Sequence, residues 1–322
     1  MAKFYQEDVL GYSILRKDDL DALHEATLDL MGTLGVRIYG DEALERYSAA
    51  GCEVDHETGM VRFPPGLIND SIESCPEEFT LCGRDPSKDT VVGGKKVAFK
   101  NFGTGVRIMD PYTGECRDTT KEDLGNIARF IDAMDSVDVF SIAVAAQDMP
   151  KRSKMLHEAE VVFHNLTKNF AHDLEGRKNT QRFIDMAAII SGGKDNLRQR
   201  PIVAMGACPN SPLELHQNET DTIILSSQHG LPIDILSMGL TGGTTPVTLA
   251  GTLVTTNAEI LSGIVLSQIV NKGNPILYGS STTIMDMRYT TSPVGAPEHA
   301  MFGAAVGQIG HYYGIPTNVG GT

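Results

Sequence analysis

The spacing of hydrophobic and polar residues changes near residue 95, which predicts two regions of different architecture. The first region mixes helical spacing, with Gly35 at the stop position of the first helix, and short alternating runs flanked by turn residues. We predict, in order, a helix at 18–34, a hairpin at 51–64, a helix from Pro65 to about Ser74 and a strand at 77–84. Residues 1–95 are therefore expected to form an N-terminal α+β extension.

From residue 97 onward, short β-rich runs alternate with amphipathic helical stretches. The predicted strands are 97–103, 137–144, 168–174, 201–207, 232–238, 275–280 and 316–321. The predicted helices lie near 121–134, 152–164, 177–190, 217–229, 247–270 and 295–313. Strands that alternate with helices at this spacing are typical of right-handed βαβ units with parallel strands.

Polar, glycine-rich loops follow the predicted strands, and they favour a barrel over an open doubly wound sheet. Examples are GTG (103–105), CPNSP (208–212) and GLTGGTTP (239–246), and the loops after the strands carry the catalytic groups of a (β/α)8 barrel. A closed barrel needs eight strands, and we count seven. Residues 96–322 are thus predicted to form a (β/α)8 TIM-type barrel that is truncated after strand seven, unless one strand has been missed.

Composition narrows the class of protein. Hydrophobic residues make up 41% of the 322 residues and charged residues 21%, which is typical of a globular domain. The N-terminus has no apolar core of signal-peptide length, and the chain shows no uncharged apolar run of membrane-spanning length. The five cysteines include no CxxC pair. We expect a cytoplasmic protein with reduced thiols and without membrane contact.

Charge is uneven along the chain. Its formal net charge of −14 disfavours nucleic acid as a partner, and residues 201–271 contain no Lys or Arg. After residue 271 the only Lys and Arg residues are Lys272 and Arg288. A barrel lyase or aldolase would need a lysine at a strand end or a cation that grips phosphate, so this class is disfavoured.

Candidate site residues stand in the loops after the predicted strands. Glu214 and Glu298 are carboxyls that could exchange a proton, and His172 ends the third strand. Hydroxyl and aromatic groups suited to a small ammonium group end the sixth strand: Tyr278, Ser280, Thr282 and Thr283. Glu259 lies inside an apolar helix, where it must be paired, protonated or exposed. The histidine spacings predict no metal site.

Longer blocks of the sequence resemble a known family. SMGLTGGTTPVTLAGTLVTTNAEILSG (237–263), ILYGSSTT (276–283) and YYGIPTNVGGT (312–322) closely resemble the trimethylamine:corrinoid methyltransferases, and FGTGVRIMD (102–110) and CPNSPLEL (208–215) resemble earlier blocks of that family. The resemblance implies a (β/α)8 barrel that transfers a methyl group from a methylamine to Co(I) of a cognate corrinoid protein. It implies that the partner carries the cobamide and that this chain binds no cofactor or metal directly. We also expect a homo-oligomer.

In the methanogen branch of this family, pyrrolysine, encoded by UAG, follows a Gly-Thr pair like Gly321–Thr322. The resemblance therefore suggests that the sequence is an amber-truncated fragment, inactive as written, with Gly321 and Thr322 beside the substrate. Protonation of the pyrrolysine imine needs a nearby acid or donor, for which the candidates are Glu214, Glu298 and Gln147.

Two alternatives stay open. Relatives without pyrrolysine demethylate quaternary amines such as glycine betaine, whose nitrogen is already charged. The other alternative is an inactive, truncated binding fragment.

Overall fold

The computed structural model describes residues 13–320 and has a mixed α/β fold. The helices are α1 (Lys17–Thr33), α2 (Asp41–Ala49), α3 (Pro65–Ser74), α4 (Lys121–Asp132), α5 (Lys154–Asn165), α6 (Arg177–Ile190), α7 (Lys194–Gln199), α8 (Gln217–His229), α9 (Leu249–Val270) and α10 (Pro297–Tyr313). The strands are β1 (Val36–Ile38), β2 (Glu53–Asp55), β3 (Met60–Arg62), β4 (Glu78–Leu81), β5 (Thr90–Gly93), β6 (Arg107–Met109), β7 (Cys116–Asp118), β8 (Phe140–Ser141), β9 (Phe170–His172), β10 (Val203–Ala207), β11 (Glu214–Leu215), β12 (Ile233–Ser237), β13 (Leu240–Thr241), β14 (Ile276–Ser280), β15 (Thr283–Ile284) and β16 (Thr317–Val319).

The chain forms two compact units. Among the described residues, the first unit contains 13–78, 93–95 and 207–320, and the second contains 79–92 and 96–206. The first unit thus joins most of the N-terminal region to the C-terminal third of the chain. The domain boundary at residue 95 stays a prediction, because a division into compact units does not show which parts of the chain fold as separate domains.

In the first unit, three parallel strands lie in the order β12, β14, β16. Their side chains alternate between two faces: Ile235 packs against Gly263 of α9, whereas Asp234 on the opposite face accepts a hydrogen bond from Asn318 of β16. A second sheet pairs β1 with β3 and β11, and β2 with β3. The β2–β3 pairing confirms the predicted hairpin.

Helix α9 is the centre of the first unit's core. It is long and apolar enough to cross a membrane by length and composition, yet 78% of its apolar window is buried. It packs against α1, α2, α3 and α8 and against β12. The all-round burial of α9 explains why its sequence is apolar on every face, as in a core helix of a globular protein.

In the second unit, β8, β9 and β10 are parallel neighbours, and α4 to α7 lie between or beside them in the chain. Its core includes the rings of Phe163, Phe170 and Phe183, with ring centroids 4.9 to 5.9 Å apart. Helix α4 begins at a capping box, in which Thr120 and Asp123 satisfy each other's backbone N–H groups.

The predicted helices after residue 95 are confirmed, but the predicted strand at 97–103 is wrong. The segment makes only an isolated bridge between Lys100 and Val139. Side chains take the place of the missing ladder: the Asn101 amide bonds both the N–H and the C=O of Ser141, and the Phe99 N–H donates to Asp138. Sequence reasoning also missed α2, α7 and several short strands.

Candidate functional site

In the first unit, the carboxyl ends of β12, β14 and β16 form one edge, which is where parallel α/β proteins place their reactive groups. Ser237 of β12 lies opposite Ser280 of β14, and Ser280 lies opposite Val319 of β16. The chain beyond β14 is held to this edge, since the Ser281 N–H donates to the Ser237 carbonyl over 3.0 Å. The candidate site is built around this edge.

The hydroxyl groups predicted to line the site do lie at this edge, but they form hydrogen bonds within the chain. The Ser280 hydroxyl donates to Thr282 Oγ1 over 2.9 Å and accepts the Thr282 N–H over 3.1 Å. Thr283 donates to the Pro293 carbonyl over 3.3 Å. These contacts fix the loop that follows β14. Gly321 and Thr322 lie outside the described residues.

Tyr278 faces away from the edge, toward α9 and α10. It is 1% exposed, its hydroxyl donates to Asn257 Oδ1 over 2.8 Å, and burial raises its pKa well above the usual range. The Asn257 amide in turn donates to Thr27 and to the Tyr313 hydroxyl. The structure thus places Tyr278 in a buried polar network that joins four elements of the first unit.

The two predicted carboxyls have different surroundings. Glu214 accepts a hydrogen bond from the Tyr39 hydroxyl over 3.3 Å, lies 2.9 Å from His216 Nε2 and is 3.5 Å from the Arg37 guanidinium. Three partners thus engage this carboxylate on the sheet that contains β1. Glu298 is half-buried in the first turn of α10, where a negative charge stabilises the helix dipole.

The remaining candidates, Gln147 and His172, belong to the second unit. Gln147 is exposed, and its side-chain amide donates to the Val106 carbonyl over 2.6 Å. His172 is 3% exposed, and its ring packs edge-on against Phe183 of α6. The His172 Nε2 donates to the Met155 carbonyl and lies 3.6 Å from Glu158. Burial lowers the pKa of His172, although the Glu158 charge opposes this shift. His172 therefore faces the helices that cover β9.

Glu259 is the most deeply buried acid of the first unit, and it reaches from α9 to the strand edge. It is fully buried, and its carboxyl accepts hydrogen bonds from Ser237 (2.6 Å), Ser211 (2.9 Å) and the Leu213 N–H (2.9 Å). Burial raises its pKa, and the three hydrogen bonds oppose that shift. The sequence pointed to Glu259 because this acid lies inside an apolar helix. The sequence did not show which groups donate hydrogen bonds to its carboxyl.

His299 was missed altogether by sequence reasoning. It is 3% exposed in the first turn of α10, and its Nδ1 lies 3.1 Å from the Thr282 carbonyl. The other ring nitrogen, Nε2, faces the backbone of Gly320, where a Cβ would stand 2.7 Å from it. The position of His299 after the predicted strand at 275–280 was the one sequence signal that could have made it a candidate.

Comparison with known proteins identifies the family of this fold and site. A family model described as trimethylamine methyltransferase (MTTB) matches residues 2–322. The chain belongs to the trimethylamine methyltransferase family. This result confirms the resemblance drawn from the sequence blocks.

Relatives within the family are similar over nearly the whole chain. The trimethylamine methyltransferase MttB of Desulfitobacterium hafniense is 46% identical over 97% of this chain, and MttB2 of Methanosarcina mazei is 38% identical over 96%. A glycine betaine methyltransferase of Desulfitobacterium hafniense is 31% identical over 96%. The chain spans 63% to 64% of the length of these relatives.

Solved structures share the fold. The Methanosarcina barkeri monomethylamine methyltransferase MtmB and a hydroxylamine complex of MtmB each match with a TM-score of 0.57 at 12% identity. Both matches cover 93% of this chain and 66% of the solved chain. At this identity, the likeness concerns the fold alone.

Proposed function

We propose that this chain is the amine-binding part of a trimethylamine methyltransferase, which transfers a methyl group to the Co(I) corrinoid of a cognate corrinoid protein. The observation that carries the proposal is the family match over residues 2–322, with 46% identity to a trimethylamine methyltransferase. The methyl acceptor belongs to the partner protein, so no residue of this chain has to bind cobalt. The small substrate in this proposal is a methylated amine.

Trimethylamine is favoured over glycine betaine as the substrate because the two Desulfitobacterium relatives differ in similarity. The trimethylamine methyltransferase is 46% identical and the glycine betaine methyltransferase 31% identical, each over an alignment of 311 residues. Side chains at the site must distinguish substrates whose nitrogen atoms differ, and a relative of higher identity shares more of these side chains with this chain. Glycine betaine is therefore the second candidate substrate.

The finer fold in this proposal is a (β/α)8 barrel that is completed by further residues of a longer protein. The support is the exposed apolar surface beside β8: Val97, Phe99 and Phe102 are 64% to 79% exposed. Unpaired apolar edges are avoided in natural proteins because they promote aggregation. The greater length of the relatives agrees with an additional strand and helix at this edge.

The chemistry requires activation of the C–N bond, because an amine is a poor leaving group. By the family resemblance, addition of the amine to the imine carbon of a pyrrolysine that follows Thr322 makes the nitrogen quaternary. The strand edge then has to hold that residue and the amine in line with the methyl acceptor. Glu259 links this edge, at Ser237, to the loop that contains Ser211 and Leu213.

One experiment tests both substrate and completeness. The protein is purified from its native source, its intact mass is compared with 34.8 kDa, and the codon after Thr322 is read. The purified protein is then incubated with free cob(I)alamin and either trimethylamine or glycine betaine. We expect a larger mass, a UAG codon, and formation of methylcobalamin with trimethylamine. Methyl transfer from glycine betaine alone would favour the second candidate, and no transfer from either amine would refute the proposal.

We also infer a cytoplasmic location, since the cysteines Cys52, Cys75, Cys82, Cys116 and Cys208 are all free. A homo-oligomer likewise stays a proposal. Light scattering of the native protein would test it.

A further inference from the structure

Positive charge is concentrated in two short segments of the second unit. Residues 151–157 and 176–184 contain six Lys and Arg residues and no Asp or Glu, although the formal net charge of the chain is −14. We call these six residues the basic patch: Lys151, Arg152, Lys154, Arg177, Lys178 and Arg182. The first segment follows β8 and begins α5, and the second follows β9 and begins α6. The basic patch therefore lies after the carboxyl ends of two neighbouring parallel strands.

The structure brings the two segments together. The side-chain amide of Asn179 donates to the carbonyl of Arg152 over 3.4 Å, and the Glu175 N–H lies 3.1 Å from the Met155 sulfur. Helix α5 packs against α6, and the axes of packed helices lie about 8 to 10 Å apart. The cations of the two helices therefore cover a surface that is too wide for one small anion to contact them all.

Most of these cations are not neutralised by a carboxylate. Within the described part of the chain, five of the six form no ion pair: Lys151, Arg152, Lys154, Lys178 and Arg182. All of these five except Lys154 are exposed. The acids of α5 have other partners, since Glu158 is buried and accepts the Ala146 N–H, and Glu160 pairs with Lys121. The positive charge of the basic patch thus faces the solvent.

The placement of these cations is unfavourable for the helices themselves. Helices α1, α2, α4, α8 and α10 each have an acid in the first turn, whereas α5 begins at Lys154 and α6 begins with Arg177 and Lys178, without an acid. The positive end of a helix dipole repels cations. Like charges four residues apart, as in Lys178 and Arg182, also destabilise a helix. Charges that reduce stability in this way are typical of a functional surface.

We propose that the basic patch is the docking surface for an acidic face of a partner protein. The chain as a whole is acidic, so nucleic acid or an anionic membrane, which extends beyond the patch, is repelled by the remaining surface. An acidic face of limited size is not. Opposite charges on the two surfaces speed association and set the orientation of the complex.

The identity of this partner rests on the proposed function. Reactive groups of parallel α/β folds lie at the carboxyl ends of the strands, so the methyl acceptor has to approach from that side. The partner that docks on the basic patch is therefore the corrinoid protein that carries the acceptor.

The test measures binding and does not depend on methyl transfer. The natively translated protein is immobilised, and the Kd of the cognate corrinoid protein, purified from the same cells by its corrinoid absorbance, is measured by biolayer interferometry. The measurement is made at about 50 mM and about 300 mM NaCl, because salt screens exposed charges. The variant Lys178→Glu/Arg182→Glu reverses two charges of the basic patch. A second variant, Lys151→Glu/Arg152→Glu, changes the loop before α5 and so leaves both helices intact.

The matched control is Lys194→Glu/Lys272→Glu. It makes the same change in net charge at two exposed residues that precede β10 and β14, at the amino ends of their strands. Circular dichroism establishes that each variant is folded. At the lower salt concentration we expect both patch variants to bind the corrinoid protein about 10- to 100-fold more weakly than the wild type. The control should keep the wild-type Kd, and the wild-type Kd should rise with salt.

Several outcomes would overturn the inference. These are equal Kd values in wild type and patch variants, an equal loss in patch variants and control, and a wild type that does not bind the corrinoid protein. Binding of inorganic phosphate, phosphatidylglycerol vesicles or RNA that the patch variants lose, while they still bind the corrinoid protein, would assign the patch to another ligand. Methyl transfer from trimethylamine to free cob(I)alamin needs no docking and is measured separately. Its absence would refute the proposed function, whereas normal transfer with unchanged Kd values would refute the docking surface alone.

Discussion

Replacement of Glu259 tests how the strand edge is held. Its carboxyl accepts three hydrogen bonds, from the hydroxyls of Ser211 and Ser237 and from the Leu213 N–H. In Glu259→Gln the amide oxygen still accepts the Leu213 N–H, but the NH2 group can only donate to the two hydroxyls, so two hydrogen bonds to a charged acceptor become neutral bonds of reversed direction. In Glu259→Leu all three donors lose their acceptor. The first variant therefore weakens two hydrogen bonds, and the second removes all three.

The expected losses follow from these bonds. A hydrogen bond to a charged group contributes about 1.5 to 3 kcal/mol, so two such bonds contribute about 3 to 6 kcal/mol. Burial of the ionised carboxyl offsets part of this, which is why its pKa is raised. We expect Glu259→Gln to lower the free energy of unfolding by about 2 kcal/mol at neutral pH. Glu259→Leu should lower it by about 4 kcal/mol, in the range for a buried polar group that loses its partner.

The pH dependence has a definite sign. The pKa of Glu259 in the folded protein lies above its usual value of 4.5, so the folded state holds this proton more tightly than the unfolded state does. The tighter proton binding raises the free energy of unfolding. This stabilisation is complete below about pH 4.5 and is lost as pH rises through the folded-state pKa. The stability difference between wild type and Glu259→Gln should therefore grow as pH falls from 7 toward 4.5.

Urea unfolding, followed by far-UV circular dichroism and by tyrosine fluorescence, measures these changes, provided the two transitions coincide. Glu45→Gln is the matched control, since Glu45 is exposed on α2, and it should change stability by less than about 0.5 kcal/mol. Equal midpoints for Glu259→Gln and Glu45→Gln would refute the reasoning. A stability difference that shrinks at lower pH would refute the argument from the raised pKa.

Three further substitutions test the packing and the helix ends, each by the midpoint of urea unfolding. Asn257→Leu leaves the buried hydroxyls of Tyr278 and Tyr313 without their amide partner, so we expect a loss of about 2 to 4 kcal/mol; a smaller loss than for an exposed Asn→Leu change would contradict the buried network. Gly310→Ala places a Cβ 2.0 Å from the Thr317 side chain, and the overpacking should cost about 1 to 3 kcal/mol. An unchanged midpoint would show that α10 and β16 move apart freely. Thr120→Ala removes the N-cap of α4 and should cost about 1 kcal/mol, whereas Thr120→Ser should restore most of it.

Local patterns were sufficient to predict most of the helices and strands. The helix at 18–34 is observed as α1, whose apolar positions recur at helical spacing, and the predicted helix near 247–270 is observed as α9, which begins at the Thr248 N-cap. Longer blocks of sequence were also sufficient for the family, which the match over residues 2–322 confirms.

Partners that lie far apart in sequence were decided by the tertiary structure. Residues 97–103 have the composition of a strand, but the amide of Asn101 occupies the backbone groups of Ser141, so no ladder forms. Glu214 was predicted as a carboxyl that could exchange a proton, and its pairing with Arg37, far earlier in the chain, depends on the parallel alignment of β1 with β11. Its role as an acid stays a prediction.

The amino-acid sequence by itself determined most of the secondary structure, the family and the acidic, lysine-free character of residues 201–271. The tertiary structure alone decided which polar groups meet: Glu259 with Ser211 and Ser237, and His299 with Thr282 and Gly320. The physical reason is the separation along the chain over which each interaction acts. Helix and turn preferences act over a few residues, whereas a hydrogen bond between a buried helix and a strand edge forms only after the chain has packed, and its direction depends on every element in between.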